Sequence, residues 1–128
     1  MKKQLESVRE FHDKFKQTQS SFLGNISKEE SVLRHKIMVE EVDEYLVAAS
    51  QRDLVGIADA LGDQLYILCG TILKHGMENI IEEVFDEIHK SNMSKLGADG
   101  EPILREDGKI LKGPGYVPPD IESILIPF

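Results

Sequence analysis

The stretch from Leu54 to Leu73, LVGIADALGDQLYILCGTIL, is apolar on nearly every side and still carries two aspartates, Asp59 and Asp63. Its length would suit a membrane span, but each carboxylate would cost roughly 2.5–3.5 kcal/mol near a bilayer centre. A buried helix of a folded domain is the better reading. At about 100° per residue, Leu54, Ala58, Leu61, Leu65, Leu68 and Ile72 form one apolar stripe, and Val55, Gly62, Tyr66 and Leu73 much of a second. A helix that is apolar on two sides must be covered on two sides, so the segment predicts the middle of a helical bundle. Asp59 and Asp63, one turn apart within or beside the second stripe, project together.

The flanking sequence supplies the other helices. A first helix is predicted from about Lys3 to Phe22, with Leu5, Val8, Phe11 and Phe15 on one face and a break at Gly24-Asn25. Ser27 followed by Glu30 reads as a capping box that starts a second helix, which runs to about Ser50. Asp53 is the expected cap of the third, which ends near Lys74-His75 ahead of Gly76. A fourth runs from about Glu78 to Leu96, before Gly97. Connections this short favour antiparallel neighbours. Further on, Asp107-Gly108 predicts a two-residue type I′ hairpin in which Ile103-Leu104 faces Ile110-Leu111. Gly113-Pro114-Gly115 and Pro118-Pro119 punctuate an irregular tail. The tail's Ile121, Ile124, Leu125, Ile126 and Phe128 call for a docking surface on this chain or a neighbouring subunit. The expected fold is therefore all-α: an antiparallel four-helix bundle with a short C-terminal β-hairpin and an irregular tail. It forms one domain over residues 1–128, with a helical core to residue 97 and the hairpin and tail from 98 on.

The acids are the functional signal. On the second helix, Leu33, Ile37, Glu40, Glu44 and Ala48 share a stripe, with Glu41 at its edge. Carboxylates in an apolar stripe must face a cavity, a cation or both, because an unpaired buried charge is very costly. A solvated acidic face is the plain alternative. Glu40, Glu41, Glu44, Asp59 and Asp63 together would repel one another unless a cation neutralised them. Hard oxygen donors without a His or Cys cluster select Mg²⁺, Mn²⁺ or Ca²⁺ over zinc. On the fourth helix, Asn92 and Lys95 extend the stripe of Ile81, Phe85 and Ile88. They suit a phosphate already held by metal, or else serve only the backbone and the helix dipole.

Composition narrows the partners. With 23 acids against 15 bases and a net charge of −8, the chain lacks the basic footprint of a nucleic-acid binder. A bound divalent cation would still admit a phosphate-bearing ligand. Cys69 is the lone cysteine, which gives no support to an oxidising compartment. The opening Met1-Lys2-Lys3-Gln4-Leu5-Glu6 has no apolar signal core. A cytoplasmic protein that does not engage the membrane is expected.

Glu40-Glu41-Val42-Asp43-Glu44, followed by Ala58-Asp59-Ala60-Leu61-Gly62-Asp63-Gln64-Leu65-Tyr66, resembles the all-α NTP pyrophosphatase superfamily, which includes MazG-like proteins and phosphoribosyl-ATP pyrophosphohydrolases. The family pattern is E-E-x-x-E, a gap, then E-x-x-D. Glu40, Glu41, Glu44 and Asp63 match it. Ala60 stands where the pattern has its next Glu, and Asp59 offers a carboxylate one residue earlier. Ser91-Asn92-Met93-Ser94-Lys95 and Lys112-Gly113-Pro114-Gly115-Tyr116-Val117-Pro118-Pro119 are similar to a bacterial and phage subgroup labelled phosphoribosyl-ATP pyrophosphohydrolase-like.

The resemblance implies Mg²⁺-dependent hydrolysis of the α–β phosphoanhydride of a nucleoside triphosphate, giving the monophosphate and pyrophosphate. It implies metal ligands among Glu40, Glu41, Glu44, Asp59 and Asp63, with Glu41 as general base. Lys95, and after it Lys109 and Lys112, would meet phosphate charge, Asn92 would contact the substrate, and Tyr116 would stack on a base. It also implies a homodimer or a dimer of dimers. Two other readings stand beside this house-cleaning enzyme. One is the phosphoribosyl-ATP pyrophosphohydrolase of histidine biosynthesis. The other is a helical dimerisation module that binds a cation without turnover. His12, His35, His75 and His89 show no metal-ligand spacing, and Cys69 reads as a small core residue.

Overall fold

The computed structural model describes residues 1–20 and 22–126. It is mostly helical: α1 (Lys2–Lys14), α2 (Lys28–Ser50), α3 (Leu54–Lys74), α4 (Ile81–Met93), strands β1 (Ile103–Leu104) and β2 (Ile110–Leu111), and α5 (Ile121–Leu125). Residues up to Asn79 form one compact unit, and those from Ile80 on form a second.

In the first unit α3 packs against both α2 and α1. Its core is small: Leu5 and Val8 of α1, Ala48 of α2, and Ala60, Cys69, Ile72 and Leu73 of α3. The caps read from the sequence are in place. Ser27 Oγ accepts from the Glu30 amide at 3.1 Å, and Asp53 Oδ1 accepts from Gly56 N at 3.0 Å. The Glu30 carboxylate does not close the capping box; it binds the buried Lys74 Nζ at 2.6 Å, a stronger charged partner than an amide.

Helix α1 stops well before the Phe22 expected for it, and Ser21 of that expected span lies outside the described residues. The reason is a Schellman end. Gln17 N reaches His12 O, Lys16 N reaches Asp13 O, and Lys16 adopts φ 55°. Helix α2 ends the same way on Arg52 (φ 55°), and α3 on Gly76 (φ 66°). At Gly76 a Cβ would lie 2.2 Å from the Phe22 carbonyl, so the residue there must be glycine. No helix among the described residues is long and apolar enough to cross a membrane.

In the second unit α5 lies against α4, and Asp120 caps α5 through Ser123 N. The tail is tied to α4 by Ser91 Oγ donating to Val117 O at 2.7 Å, Val117 N donating to Ser94 Oγ at 2.9 Å, and Asp120 N donating to Glu87 Oε1 at 3.0 Å. The apolar tail thus docks on its own chain as far as it is described, and Phe128 lies outside the described residues. The hairpin has the expected partners, Ile103 with Leu111 and Leu104 with Ile110. Its turn differs from the expected type I′. Arg105 N pairs with Lys109 O, Gly108 N returns to Arg105 O, and only Gly108 takes positive φ (89°). A three-residue connection with glycine in the left-handed position needs no strain at Asp107. Asp107 instead binds the Arg105 guanidinium.

Candidate metal centre

Position along α2 and α3 decides which acids meet. Glu41 and Glu44 lie three residues apart on α2, and Asp63 stands on α3, the helix against which α2 packs. One carboxylate oxygen from each of Glu41, Glu44 and Asp63 falls within 4.8 Å of the other two. Opposite oxygens around an octahedral Mg²⁺ lie about 4.2 Å apart, so small rotations of these side chains would close the set on an ion. The fit is supported by Glu41, whose Oε2 is buried without a hydrogen-bond partner. A buried carboxylate oxygen left bare is an acceptor waiting for a cation or a proton.

Electrostatics agree. The Glu41 carboxyl is pushed up to about 7. Hydrogen bonding to the adjacent Glu44 carboxylate is the main cause; burial and the charges of Glu44, Asp63 and Asp59 add to it. Asp59 therefore acts on the cluster through its field, while its own side chain is exposed and lines a neighbouring hollow with Asp43 and Glu44. Glu40 is exposed and outside the three-acid group. The inward line of α2 runs through Arg34, Ile37, Glu41 and Ala48; it keeps Ile37 and Ala48 of the stripe read from the sequence and has Arg34 and Glu41 in place of Leu33 and Glu40. Ala60 is buried at 1% exposure, so its methyl fills a packed position.

Glu41 and Asp63 stand at one end of a cleft of about 290 Å³ among α1, α2 and α3, lined also by Val8, Phe11, His12, Arg34, Ile37, Tyr66 and Ile67. Two of these residues carry polar chemistry: Arg34, which the sequence reading did not single out, and His12, which it set aside for want of metal-ligand spacing. Arg34 Nε donates to Thr71 Oγ1 at 3.0 Å, and Arg34 Nη2 donates to the Ile67 carbonyl at 2.8 Å. Gly70 makes this crossing possible, since a Cβ there would lie 2.5 Å from Arg34 Nη2.

His12 is 3% exposed. Burial, with the nearby Lys74 and Arg34 cations, holds its pKa below 6.5 against the opposing pull of Gln19. Gln19 Nε2 donates to Asp13, which turns its Oε1 toward His12 Nδ1 at 3.2 Å and makes Nδ1 the protonated nitrogen. The lysine-arginine-histidine grouping left no period signal of its own. The available clue was Arg34 at three and seven residues from Ile37 and Glu41, on the same helix face.

The remaining residues of interest belong to the second unit. Asn92 is exposed near the end of α4, and its carbonyl accepts from Lys95 N. Lys95 is half-buried, and its carbonyl accepts from Gly113 N at 2.8 Å. A Cβ at Gly113 would lie 2.2 Å from Leu96 O, so glycine lets the returning chain touch the end of α4. Lys112 Nζ sits 4.8 Å from the centre of the Tyr116 ring, a cation–π contact that occupies one face of that ring. Lys109 is exposed.

A family model described as phosphoribosyl-ATP pyrophosphohydrolase matches residues 8–92. The match takes in Glu40, Glu41, Glu44, Asp59 and Asp63 and stops short of Lys95, Lys109, Lys112 and Tyr116. Among solved structures, a protein from Exiguobacterium sp. 255-15 named a "putative NTP pyrophosphohydrolase" is similar at a TM-score of 0.53 and 25% identity, over 97% of this chain and 94% of that one. No curated protein matches the chain.

Proposed function

The chain belongs to the phosphoribosyl-ATP pyrophosphohydrolase family, and on that premise we propose that it is a Mg²⁺-dependent nucleoside triphosphate pyrophosphohydrolase of the nucleotide pool. The reaction would cleave the α–β phosphoanhydride to a nucleoside monophosphate and pyrophosphate. The observation that carries this reading is the buried Glu41 Oε2, left without a hydrogen-bond partner within reach of Glu44 and Asp63. Glu41, Glu44 and Asp63 would hold the cation, with Asp59 and Glu40 as the outer acids of the site. A divalent ion bound there supplies charge neutralisation for phosphate oxygens and acidifies a bound water.

The chain's own residues do the rest. Glu41 in its carboxylate form accepts the proton of the attacking water. Lys95, with Lys109 and Lys112, neutralises phosphate charge, and Asn92 and Tyr116 contact the substrate. One domain over residues 1–128 is part of this proposal, and the family match covers residues 8–92 of it.

Assembly follows from what the helices leave uncovered. Leu54, Leu61, Leu65 and Leu68 of α3 and Val42 and Leu46 of α2 are exposed by 44% or more. Apolar faces of this extent call for a partner surface. We assign it to a second copy, in a homodimer or a dimer of dimers. The protein would act in the cytoplasm, where free nucleotides are its substrates.

A second substrate is favoured by the family model itself, phosphoribosyl-ATP. A panel of ribo- and deoxyribonucleoside triphosphates together with phosphoribosyl-ATP, assayed for pyrophosphate with Mg²⁺ and with chelator, separates the two. Release from the triphosphates is expected. Release from phosphoribosyl-ATP alone would replace the proposal, and release from none would leave a metal-binding module.

A further inference from the structure

Residue numbers on α2 fall as those on α3 rise wherever the two helices meet, so they run antiparallel, and their crossings fix one register. At the loop end a Cβ on Gly56 would lie 3.0 Å from Ala48 Cβ, so the helices touch there. Midway, Glu41 and Asp63 join the acidic cluster, while Gln64 Nε2 reaches the Glu41 carbonyl only at 3.5 Å. Beyond the cluster, Arg34 of α2 donates to Thr71 Oγ1 at 3.0 Å and to the Ile67 carbonyl at 2.8 Å, both on α3.

Arg34 stands two turns before Glu41 on the same face of α2, about 10.5 Å away at 1.5 Å per residue. Ile67 and Thr71 follow Asp63 by one and two turns of α3, about 6 and 12 Å. The guanidinium bonds at both levels, so it grips α3 at a distance from Asp63 that matches its own distance from Glu41. A planar fork with two directional bonds holds a register more tightly than the single ammonium contact of Lys74 with Glu30 one turn further on. Gly70 leaves the slot for the fork, since a Cβ there would lie 2.5 Å from Nη2. A slip of α2 by one residue, about 1.5 Å with about 100° of rotation, would put Glu40 or Val42 where Glu41 stands. Mg²⁺ does not tolerate such a shift, because it requires near-octahedral oxygens at about 2.0–2.1 Å.

We propose that Arg34 is a positioning residue for the cation site: its fork on Ile67 and Thr71 sets the register of α2 on α3 that brings Glu41 and Glu44 to Asp63. This rests on the reading of that cluster as a cation site. Charge and geometry give opposite signs for the loss of Arg34. Removing a positive charge two turns from an acidic site leaves cation affinity unchanged or raises it. Losing the register lowers it.

The test is Mn²⁺ binding to the whole protein, followed by the EPR signal of the free ion, with circular dichroism and melting temperature measured for each variant. Arg34→Met keeps the stem and removes the fork, and it should weaken Mn²⁺ about tenfold or more, the scale of losing a partner that orients a metal ligand. Arg34→Lys keeps the charge without the two-bond geometry and should also weaken it. Thr71→Val keeps the shape and the bond to Ile67, and it should weaken Mn²⁺ less than Arg34→Met does. Leu5→Ala on α1 is the control. It opens a cavity in the core of the same unit and should lower the melting temperature while Mn²⁺ affinity below the melt stays unchanged. Arg34→Met and Arg34→Lys that bind Mn²⁺ as tightly as the wild type, or more tightly, would overturn the positioning role. An equal loss in Leu5→Ala would do the same, by making the effect one of stability. If Arg34→Met does not fold, Arg34→Lys and Thr71→Val decide. A wild type that binds no Mn²⁺ would overturn the cation site too, whereas a wild type that binds and variants that bind equally overturn the positioning role alone.

Discussion

Loading the acidic cluster with a divalent cation should release a proton, and the amount is set by Glu41. Its carboxyl is held at about 7 by hydrogen bonding to Glu44, by burial, and by the negative charges of Glu44, Asp63 and Asp59. A cation at Glu41, Glu44 and Asp63 reverses that pressure, since a metal ligand must give up its proton. From a pKa of about 7, Glu41 is protonated to about 0.9 at pH 6 and about 0.1 at pH 8. Binding of Mg²⁺ or Mn²⁺ should therefore release about 0.9 of a proton at pH 6 and about 0.1 at pH 8. Apparent affinity should fall toward about tenfold for each pH unit below 7. Calorimetric titrations in two buffers of different ionisation enthalpy, at both pH values, measure the released proton directly. Glu41→Gln should abolish the pH-dependent part. Tight metal binding at pH 6 with no proton released would refute the raised Glu41 carboxyl and its place among the metal ligands.

Three further outcomes follow from the geometry. Glu44→Gln and Asp63→Asn should each lower turnover by about 10² or more while the metal-free proteins stay folded, and Asp59→Asn should lower it as well if its field matters; steady-state pyrophosphate assays and circular dichroism check both halves. His12 is held below 6.5 in the fold, so the unfolded chain takes up the proton first as pH falls. The stability it contributes is complete above pH 6.5 and is lost as pH falls from there through the folded value, so His12→Gln should flatten the acid side of a plot of melting temperature against pH. Gly70→Ala places a methyl 2.5 Å from Arg34 Nη2, and chemical denaturation should show a loss of about 1–3 kcal/mol as Arg34 is driven off the Ile67 carbonyl.

The sequence made some of this legible and hid the rest for physical reasons. Helix starts were readable because Ser27 and Asp53 cap through short side chains whose type announces the role. Of the three Schellman ends, only the one on Gly76 was visible. Lys16 and Arg52 adopt the same left-handed conformation without being residues that favour it. Glu30 looked like a capping-box acid, and its link to Lys74 spans 44 positions that no local pattern connects. The acidic cluster was found from carboxylates lying in apolar stripes. Which of them turns inward was not, because Glu40 and Glu41 differ by only one step of the helix and the choice depends on where α3 lies. Arg34 escaped notice since a single charged residue at helical spacing looks like surface, and His12 was set aside because the histidines show no metal-ligand spacing. Ser91 and Ser94 stood out as a motif, but their job of tying Val117 to α4 needs the fold.

The most direct measurement of the central claim is product identity. A nucleoside triphosphate incubated with the protein and Mg²⁺ should give, by ³¹P NMR, the monophosphate and pyrophosphate in equal amounts, with the reaction stopped by chelator and restored by Mn²⁺. A diphosphate with inorganic phosphate, or turnover that is indifferent to chelator, would contradict it.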